Sequence, residues 1–326
     1  MKRRSLTTKQ TVELVPEAPF FFDATFYKPD HFPSPDNAWE PGIRWQTMLW
    51  QGRTLGLRFD NQGTVDRPKV SLTIWSTEEL EETFLHGLIN EINYRYNSEL
   101  DLTDFYNRFG DDPHLGPVIA RWRGMRPLNC SSLYEYLIIA IVLQNATVRR
   151  SVAMMRALLE TYGTLLSYDD KALYCFWEPD VVHRASEQSL RDLKVGYRAK
   201  SIKRVTAAFA EGAVDEFALR SQSREEQRQA LLDLYGIGPA SVGYILFDVF
   251  HHPDEMNHIS PWEKKIYSKL FFDVEPEEPL EVDALLTYFE EHFGGYQALA
   301  VHYFWEDLFW RRRHEPVPWL ERLIRL

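Results

Sequence analysis

Hydrophobic positions follow two different periods along the chain, and the change lies near residue 77. From Ala24 to about Ser76, short stretches of alternating apolar and polar residues are rich in Trp, Phe and Tyr and are separated by turn sequences. This alternation predicts a small antiparallel sheet. From Thr77 almost to the end of the chain, apolar residues recur at helical spacing. The sequence therefore predicts a mostly α protein, α+β overall.

The same patterns divide the chain into three segments. Residues 1–20 are expected to form a flexible leader. Residues 21–98 are expected to form a β-rich subdomain with one helix, and residues 99–326 a helical core made of two lobes. The longer helices that the periodicity predicts span residues 77–96, 133–143, 148–162, 197–211, 225–234, 261–271, 282–293 and 296–310.

The stretch from Leu231 to Phe250 joins two apolar helical segments through a glycine turn. Its sequence, LLDLYGIGPASVGYILFDVF, predicts a helical hairpin with Gly236 and Gly238 in the turn. Glycine accepts positive φ and lets another backbone approach closely, and Pro239 suits the first turn of a helix. The unpaired N–H groups at the start of the second helix favour an anion such as a phosphate. By itself, the pattern is more typical of an ordinary helical corner capped by glycine.

The composition excludes several classes of protein. Of the 326 residues, 44% are hydrophobic and 14% aromatic, which is typical of a globular protein. No apolar run approaches membrane-spanning length, and the first residues lack the apolar core of a signal peptide. We therefore expect a cytoplasmic protein without a membrane partner. Cys130 and Cys175 are too few for a four-cysteine iron–sulfur cluster, and neither a thiolate zinc site nor a disulfide framework is expected.

The charge distribution limits how the protein could meet nucleic acid. A formal net charge of −11 argues against a protein that coats nucleic acid without specificity. It is compatible with a local basic groove. Two basic segments are candidates for that groove, and their members are Arg149, Arg150, Arg198, Lys200, Lys203 and Arg204.

The hairpin and its surroundings resemble the helix-hairpin-helix DNA glycosylase superfamily, on the side of the 3-methyladenine and 8-oxoguanine enzymes. The motif LxxLYGIGPASVGYIL carries the resemblance, and the GYRA sequence at 196–199 and the β-rich front segment extend it over about residues 24–313. The resemblance implies a small sheet before a helical core, and a hairpin that grips a DNA backbone beside an extruded base. It also implies a monovalent cation on the backbone carbonyls of the hairpin and no other cofactor.

Four side chains match positions that contact DNA in that superfamily. The resemblance implies that Asn145 fills the gap left by the extruded base, that Tyr197 wedges against the opposite strand, and that Arg150 and Arg198 contact the base left opposite. Arginine contacts to a base edge predict a preference for one opposing base, cytosine. Taken singly, Asn145 is also typical of a turn and Arg150 of a solvated surface. The hairpin positions implied to bind DNA are Gly236, Ile237, Gly238, Ala240 and Ser241.

The chain departs from the superfamily where the chemistry takes place. The position of the catalytic aspartate falls on Ser260, and that of the lyase lysine on Ala240. A neutral hydroxyl does not replace the charge of a carboxylate, and no lyase activity is expected by the usual lysine route.

Three interpretations of Ser260 stay open. Glu263, one helical turn further on, restores the charge, unless it is a surface glutamate paired with a neighbouring lysine. Alternatively, the pocket alone excises bases with an already weak glycosidic bond, such as cationic alkylated purines. In the third interpretation the protein binds damaged DNA without cutting it, and Ser260 is only the N-cap of the next helix.

Aromatic and polar residues of the last core helices are candidates for a base pocket. The glutamine pair that reads the base in the 8-oxoguanine enzymes is replaced here by Val301 and His302, so the resemblance implies no particular base. Core packing is the alternative for each aromatic residue. The histidines between residues 251 and 258 lack ligand geometry, and no metal site formed by side chains is expected. The candidates for the pocket are Gln144, Trp262, His302 and Trp305.

Together, these features predict base-excision repair of DNA. The preferred interpretation is a monofunctional DNA N-glycosylase, acting as a monomer, that extrudes and excises an alkylated or oxidised base from double-stranded DNA. Ser260 and Ala240 favour a different interpretation, a lesion-binding protein without catalysis. The net negative charge favours a third, a helical scaffold that holds a protein partner.

Overall fold

An antiparallel sheet of five strands forms the front of the molecule. A computed structural model describes residues 2–28 and 33–323. The strands are β2 Thr8–Leu14, β3 Asn37–Glu40, β4 Ile43–Trp50, β5 Arg53–Asn61 and β6 Val70–Ser76. Their order in the sheet is β2-β6-β5-β4-β3. The alternation read from the sequence is visible in β6, where Val70, Leu72 and Ile74 are buried and the residues between them are half-buried.

Two helices, α1 Phe22–Phe26 and α2 Glu82–Arg95, complete this front subdomain. Their apolar residues pack in one cluster with those of the sheet. Helix α2 begins five residues later than the sequence predicts. The reason is a contact with β2: the side chain of Gln10 binds both backbone groups of Leu80, at 2.8 Å and 3.0 Å, and holds the segment before α2 outside the helix.

The expectation of a flexible leader is wrong for residues 2–14. The strand β2 lies in this segment, and so does β1 Lys2–Ser5, which pairs in parallel with β7 Thr164–Tyr168. β7 in turn pairs with β8 Lys171–Cys175. Two strands of a second, three-stranded sheet therefore lie within the segment expected to be helical. All four residues of β1 are exposed, so the sequence carries no alternation that would predict this strand.

The remaining helices pack around two hydrophobic clusters. One cluster is built from residues 133–250 and the other from residue 24, residues 102–125 and residues 259–320. The helices of the first lobe are α5 Leu133–Leu143, α6 Val148–Tyr162, α7 Pro179–His183, α8 Glu187–Asp192, α9 Arg198–Ala210, α10 Glu216–Arg220, α11 Arg224–Leu232 and α12 Pro239–Asp248. The helices of the second lobe are α3 Thr103–Phe109, α4 Leu115–Arg121, α13 Pro261–Phe272, α14 Val282–Phe293, α15 Gln297–Arg312 and α16 Pro318–Glu321.

The predicted fold class, mostly α with a small antiparallel sheet in front, is confirmed. Across the described ranges, no helix has both the length and the apolar character needed to cross a membrane.

Candidate functional site

The predicted hairpin is formed by α11, a glycine turn and α12. Gly238 is the N-cap of α12 and Pro239 its first residue. Gly236 has φ of +86°, and a Cβ there would lie 2.9 Å from the Cβ of Ser201 and closer still to its Oγ. Gly238 does not use the positive φ that glycine permits, because its φ is −115°. A Cβ on Gly238 would have no neighbour within 4 Å. The fold therefore requires glycine at 236, whereas glycine at 238 only keeps the surface open.

Three separate segments of the chain meet at this hairpin. The side chain of Gln144 donates from Nε2 to the Gly236 carbonyl at 2.8 Å. Arg198 donates from its guanidinium to the Gln144 carbonyl. Asn145 donates from Nδ2 to the Tyr197 hydroxyl at 3.4 Å. The segments around residues 145, 197 and 236, each singled out in the sequence, therefore form one continuous surface. Gln144, expected in the base pocket, binds the hairpin turn instead.

Two of the expected DNA-contacting side chains project from this surface. Asn145 sits in a turn with φ of +48°, and Tyr197 is 55% exposed. Arg150 is also exposed, on the first turn of α6, which Thr147 caps. Arg198, however, is 1% exposed. Its guanidinium binds the turn at residue 144 from the protein interior and does not reach the surface to donate to a base.

Basic side chains lie beside the hairpin. Lys200 and Arg204, one turn apart on α9, are both exposed, and their charged groups lie 4.9 Å and 5.4 Å from the ring centre of Tyr235. Lys203 of the same helix turns away and donates to the carbonyls of residues 182 and 183. Only some of the six basic residues expected to form a groove therefore face the surface beside the hairpin. Ile237 is buried in the core of the first lobe, so only its backbone is available to a ligand.

A cavity of about 460 Å³ opens between α12, α13 and α15. One wall is a stack of aromatic rings: the centroids of Trp262 and Trp305 are 5.2 Å apart with a 20° interplanar angle, and those of Trp305 and Phe309 are 5.4 Å apart with 17°. Because these rings stack on one another, a flat aromatic guest would stack at the end of the stack formed by Trp262, which is 39% exposed. The residues that were singled out in the sequence and line the cavity are Ala240, Trp262, Glu263, His302 and Trp305.

Ser260 is the N-cap of α13 and is not among the residues that line the cavity. Its hydroxyl accepts from the Glu263 backbone N–H at 3.2 Å, and Glu263 Oε2 accepts from the Ser260 N–H at 2.8 Å. This reciprocal pair is a capping box. The hydroxyl of Ser260 is therefore engaged in holding the start of α13.

Glu263 is 7% exposed and its carboxylate lies at the cavity wall. Besides the capping bond, Oε1 accepts from the hydroxyls of Tyr244 at 2.5 Å and Tyr267 at 3.3 Å. Burial and the Glu263 charge raise the pKa of the Tyr267 hydroxyl, so it stays protonated as a donor. The neighbouring Lys264 pairs with Glu281 instead, at 3.1 Å. Glu263 is thus a fixed, buried carboxylate and not a surface partner of a lysine.

The cavity also contains charged residues that the sequence did not reveal. Lys28 Nζ lies 3.6 Å from Glu306 Oε1 and 3.2 Å from the Ala24 carbonyl. Asp248 accepts from the hydroxyl of Tyr136. The sequence does contain an indication for Glu306, because a glutamate on the apolar face of the helix α15 is expected to be buried. Lys28 comes from the front subdomain, 278 positions before Glu306, and no local pattern connects the two.

The histidines after α12 do not form a metal site. His252 Nε2 lies 2.7 Å from Gln227 Oε1, and His258 lines the cavity. His251 stacks edge-on against Tyr94, with ring centroids 4.6 Å apart. Residues 2–28 and 33–323 contain no group of three or more His, Cys, Asp or Glu side chains placed to hold a metal ion.

Comparison with known proteins relates this geometry to DNA glycosylases. No protein-family model matches the chain. A curated DNA-3-methyladenine glycosylase of Bacillus subtilis (strain 168) is 21% identical over 180 residues, which is 55% of this chain and 57% of that protein. The match therefore spans little more than half the length of that relative.

Solved structures match over almost the whole chain. The 3-methyladenine DNA glycosylase from Archaeoglobus fulgidus has a TM-score of 0.75 at 14% identity, with 94% of this chain and 99% of that chain covered. MBOgg1 in complex with a low-affinity DNA ligand has a TM-score of 0.70 at 20% identity, with 94% and 96% covered. The 8-oxoguanine glycosylase/lyase of Clostridium acetobutylicum, in complex with double-stranded DNA containing cytosine opposite to 8-oxoG, has 0.67 at 18%, with 96% and 99% covered.

The chain therefore has the fold of the helix-hairpin-helix DNA glycosylases. This confirms the fold that the resemblance of the hairpin implied.

Proposed function

We propose that the protein is a monofunctional DNA N-glycosylase that extrudes an alkylated or oxidised base from double-stranded DNA and excises it. The observation that carries the proposal is the position of the aromatic cavity. It begins at Ala240, in the first turn of the hairpin's second helix, and is walled by Trp262 and Trp305. A base turned out of a duplex held at the hairpin would stack on that wall.

The DNA contacts in this proposal follow the surface around the hairpin. The backbone N–H groups at the start of α12 bind phosphate, and the open side of Gly238 admits the DNA backbone. Asn145 and Tyr197 enter the duplex, and Arg150 contacts the base left opposite, with cytosine preferred. A monovalent cation on the hairpin carbonyls would compete with Gln144, which binds the Gly236 carbonyl in this structure. The protein acts as a monomer.

Glu263 supplies the catalytic charge. When the bond between C1′ and the base nitrogen breaks, the electron pair leaves with the base and positive charge develops on the sugar. Water then adds to C1′ and loses one proton, to the departing base when that leaves as an anion and to solvent when it leaves neutral. A carboxylate fixed by two tyrosine hydroxyls and a backbone N–H needs no rearrangement to stabilise that charge. Ser260, engaged in the capping box, is neutral, and Ala240 has no amine for a covalent intermediate.

The charge of the cavity favours bases that are already cationic, such as N-alkylated purines. Among residues 2–28 and 33–323, four carboxylates line it, and Lys28 is the only lysine or arginine in the lining. Arg228, which binds Glu255 at 2.6 Å, neutralises a second charge from outside the lining. A cation on the aromatic wall gains cation–π attraction as well. A cationic base is also a better leaving group, so a modest catalytic charge suffices.

The test is single-turnover excision on duplexes that carry alkylated, oxidised or deaminated bases. We expect Glu263→Gln to lose excision while DNA binding and folding persist, because glutamine also closes a capping box. Glu281→Gln is the matched control, because Glu281 is an exposed glutamate that pairs with Lys264 of the same helix, α13. Excision retained in Glu263→Gln would refute the catalytic role of Glu263.

Ser260 and Ala240 favour a second candidate, a protein that binds lesions without excising the base. Its signature would be tight lesion binding without excision in the wild-type protein, and excision gained by Ser260→Asp. Aspartate is also a good N-cap, so this variant keeps the start of α13.

A further inference from the structure

The cavity ends in a group of charged side chains that the catalytic proposal does not use. Lys28 from the front subdomain and Glu306 from α15 form an ion pair, with 16% and 1% of their side chains exposed. Asp248, at the end of α12, lines the same cavity and favours the charged form of Lys28. Burial lowers the pKa of Lys28, and Glu306 opposes that effect. We call Lys28, Asp248 and Glu306 the polar floor.

The distance along α12 decides what this amine can reach. Ala240 and Asp248 both line the cavity and are eight residues apart on one helix, which corresponds to about 12 Å. The sugar of an extruded nucleotide would lie near Ala240, beside the hairpin. Lys28, close to Asp248, is therefore at the far end of the cavity. It is badly placed to attack C1′ and well placed to meet the outer edge of the base.

The floor offers one strong donor and two acceptors. The ammonium of Lys28 donates only, and the carboxylates of Asp248 and Glu306 accept only. An extruded base is read along its Watson–Crick edge. The edge of a guanine-type base has a carbonyl acceptor followed by N–H donors on the ring and on the amino group. The edge of an adenine-type base has no carbonyl, and its ring nitrogen is a weaker acceptor for an ammonium.

We propose that Lys28, Asp248 and Glu306 determine specificity by selecting an extruded purine that has a guanine-type edge. Lys28 binds the carbonyl oxygen, and the two carboxylates accept from the adjacent N–H groups. This inference rests on the proposed glycosylase function and deepens it. Together with the acidic, aromatic cavity, it points to guanines that carry an alkyl group on a ring nitrogen.

The alternative is that Lys28 and Glu306 only hold the front subdomain against the second lobe. A purely structural ion pair affects every substrate equally, whereas a recognition group affects one class of base. The test must therefore compare two lesions in one protein.

The experiment measures single-turnover excision and equilibrium binding for duplexes with N7-methylguanine or N3-methyladenine, and binding to an abasic duplex, which has no base to read. We expect Lys28→Met to lower excision and binding of the guanine lesion at least tenfold relative to the adenine lesion, with abasic binding unchanged. Glu306→Gln, which keeps the shape of the side chain, should shift the same ratio. Lys264→Met is the matched control, because Lys264 is 19% exposed and also ion-paired but lies outside the cavity.

Equal losses on both lesions, or an unchanged ratio in both variants, would overturn the polar floor as a specificity determinant. If the wild-type protein excises neither lesion, the wider panel of alkylated, oxidised and deaminated bases decides on the catalytic proposal, and the ratio of binding constants for the two lesions decides on the polar floor. Should Lys28→Met not fold, as judged by thermal unfolding, Glu306→Gln alone decides.

Discussion

Substitution by alanine should affect protein stability differently at the two hairpin glycines. At Gly238 the backbone is extended, with φ of −115° and ψ of 174°, which any residue can adopt, and a Cβ would meet no atom of the protein within 4 Å. Alanine restricts the unfolded chain, which stabilises by about 0.4–1 kcal/mol, and is a poorer N-cap than glycine by a similar amount. We therefore expect the free energy of unfolding of Gly238→Ala to stay within about 1 kcal/mol of wild type.

At Gly236 the same substitution should destabilise the protein. A φ of +86° costs an alanine about 1–2 kcal/mol. Its Cβ would also collide with Ser201, which is 6% exposed on α9 and has little room to move. Overpacking of this kind typically costs about 1–3 kcal/mol. The expected total loss is about 2–5 kcal/mol.

Urea unfolding and fluorescence anisotropy with a labelled duplex, both at one salt concentration, separate the two effects. For Gly238→Ala we expect unchanged stability and DNA binding at least tenfold weaker, a loss of about 1.4 kcal/mol, because the new methyl group occupies the space left for the DNA backbone. Wild-type DNA affinity in Gly238→Ala would refute DNA binding by the hairpin. It would favour the alternative that the protein is a helical scaffold that holds a protein partner. Wild-type stability in Gly236→Ala would show that the steric argument is wrong.

Two further predictions concern charge. Replacing Lys200 and Arg204, the two cations near the ring of Tyr235, with alanine should lower the slope of log affinity against log salt by about 0.9 per lost phosphate contact. Lys203→Ala, on the same helix but turned inward, should leave that slope unchanged, and equal slopes in all variants would contradict the proposed contacts. Burial lowers the pKa of His251 from 6.5 to about 4. The folded protein therefore favours the neutral ring and should lose up to about 3 kcal/mol of its free energy of unfolding as the pH falls from 6.5 to about 4. Asparagine tolerates the φ of +61° at this position, so urea unfolding of His251→Asn should lack this pH-dependent loss, and an identical pH dependence in the variant would exclude His251 as its source.

Local interactions account for what could be predicted from the sequence. Thr147 caps α6 and Ser260 caps α13, as their positions before helical stretches indicate, because a cap binds a backbone N–H only three residues further on. The hairpin follows from the same logic, since its glycines, proline and apolar helices are neighbours in the chain. The conformation of Gly238 was beyond this reasoning: both glycines permit positive φ, and only the collision at Ser201 distinguishes Gly236.

The sequence by itself determined the local elements: the α5 and α6 boundaries, the helix caps, the hairpin, and the aromatic residues available for a pocket. Tertiary structure alone decided which of these residues meet. The strand β1 pairs with a segment about 160 residues away, Arg198 turns inward to the Gln144 carbonyl, and Lys28 enters a cavity formed mainly by helices more than 200 residues later. A buried charge is tolerated only where a distant segment brings a partner. That partner is a property of the packed fold, and no local periodicity encodes it.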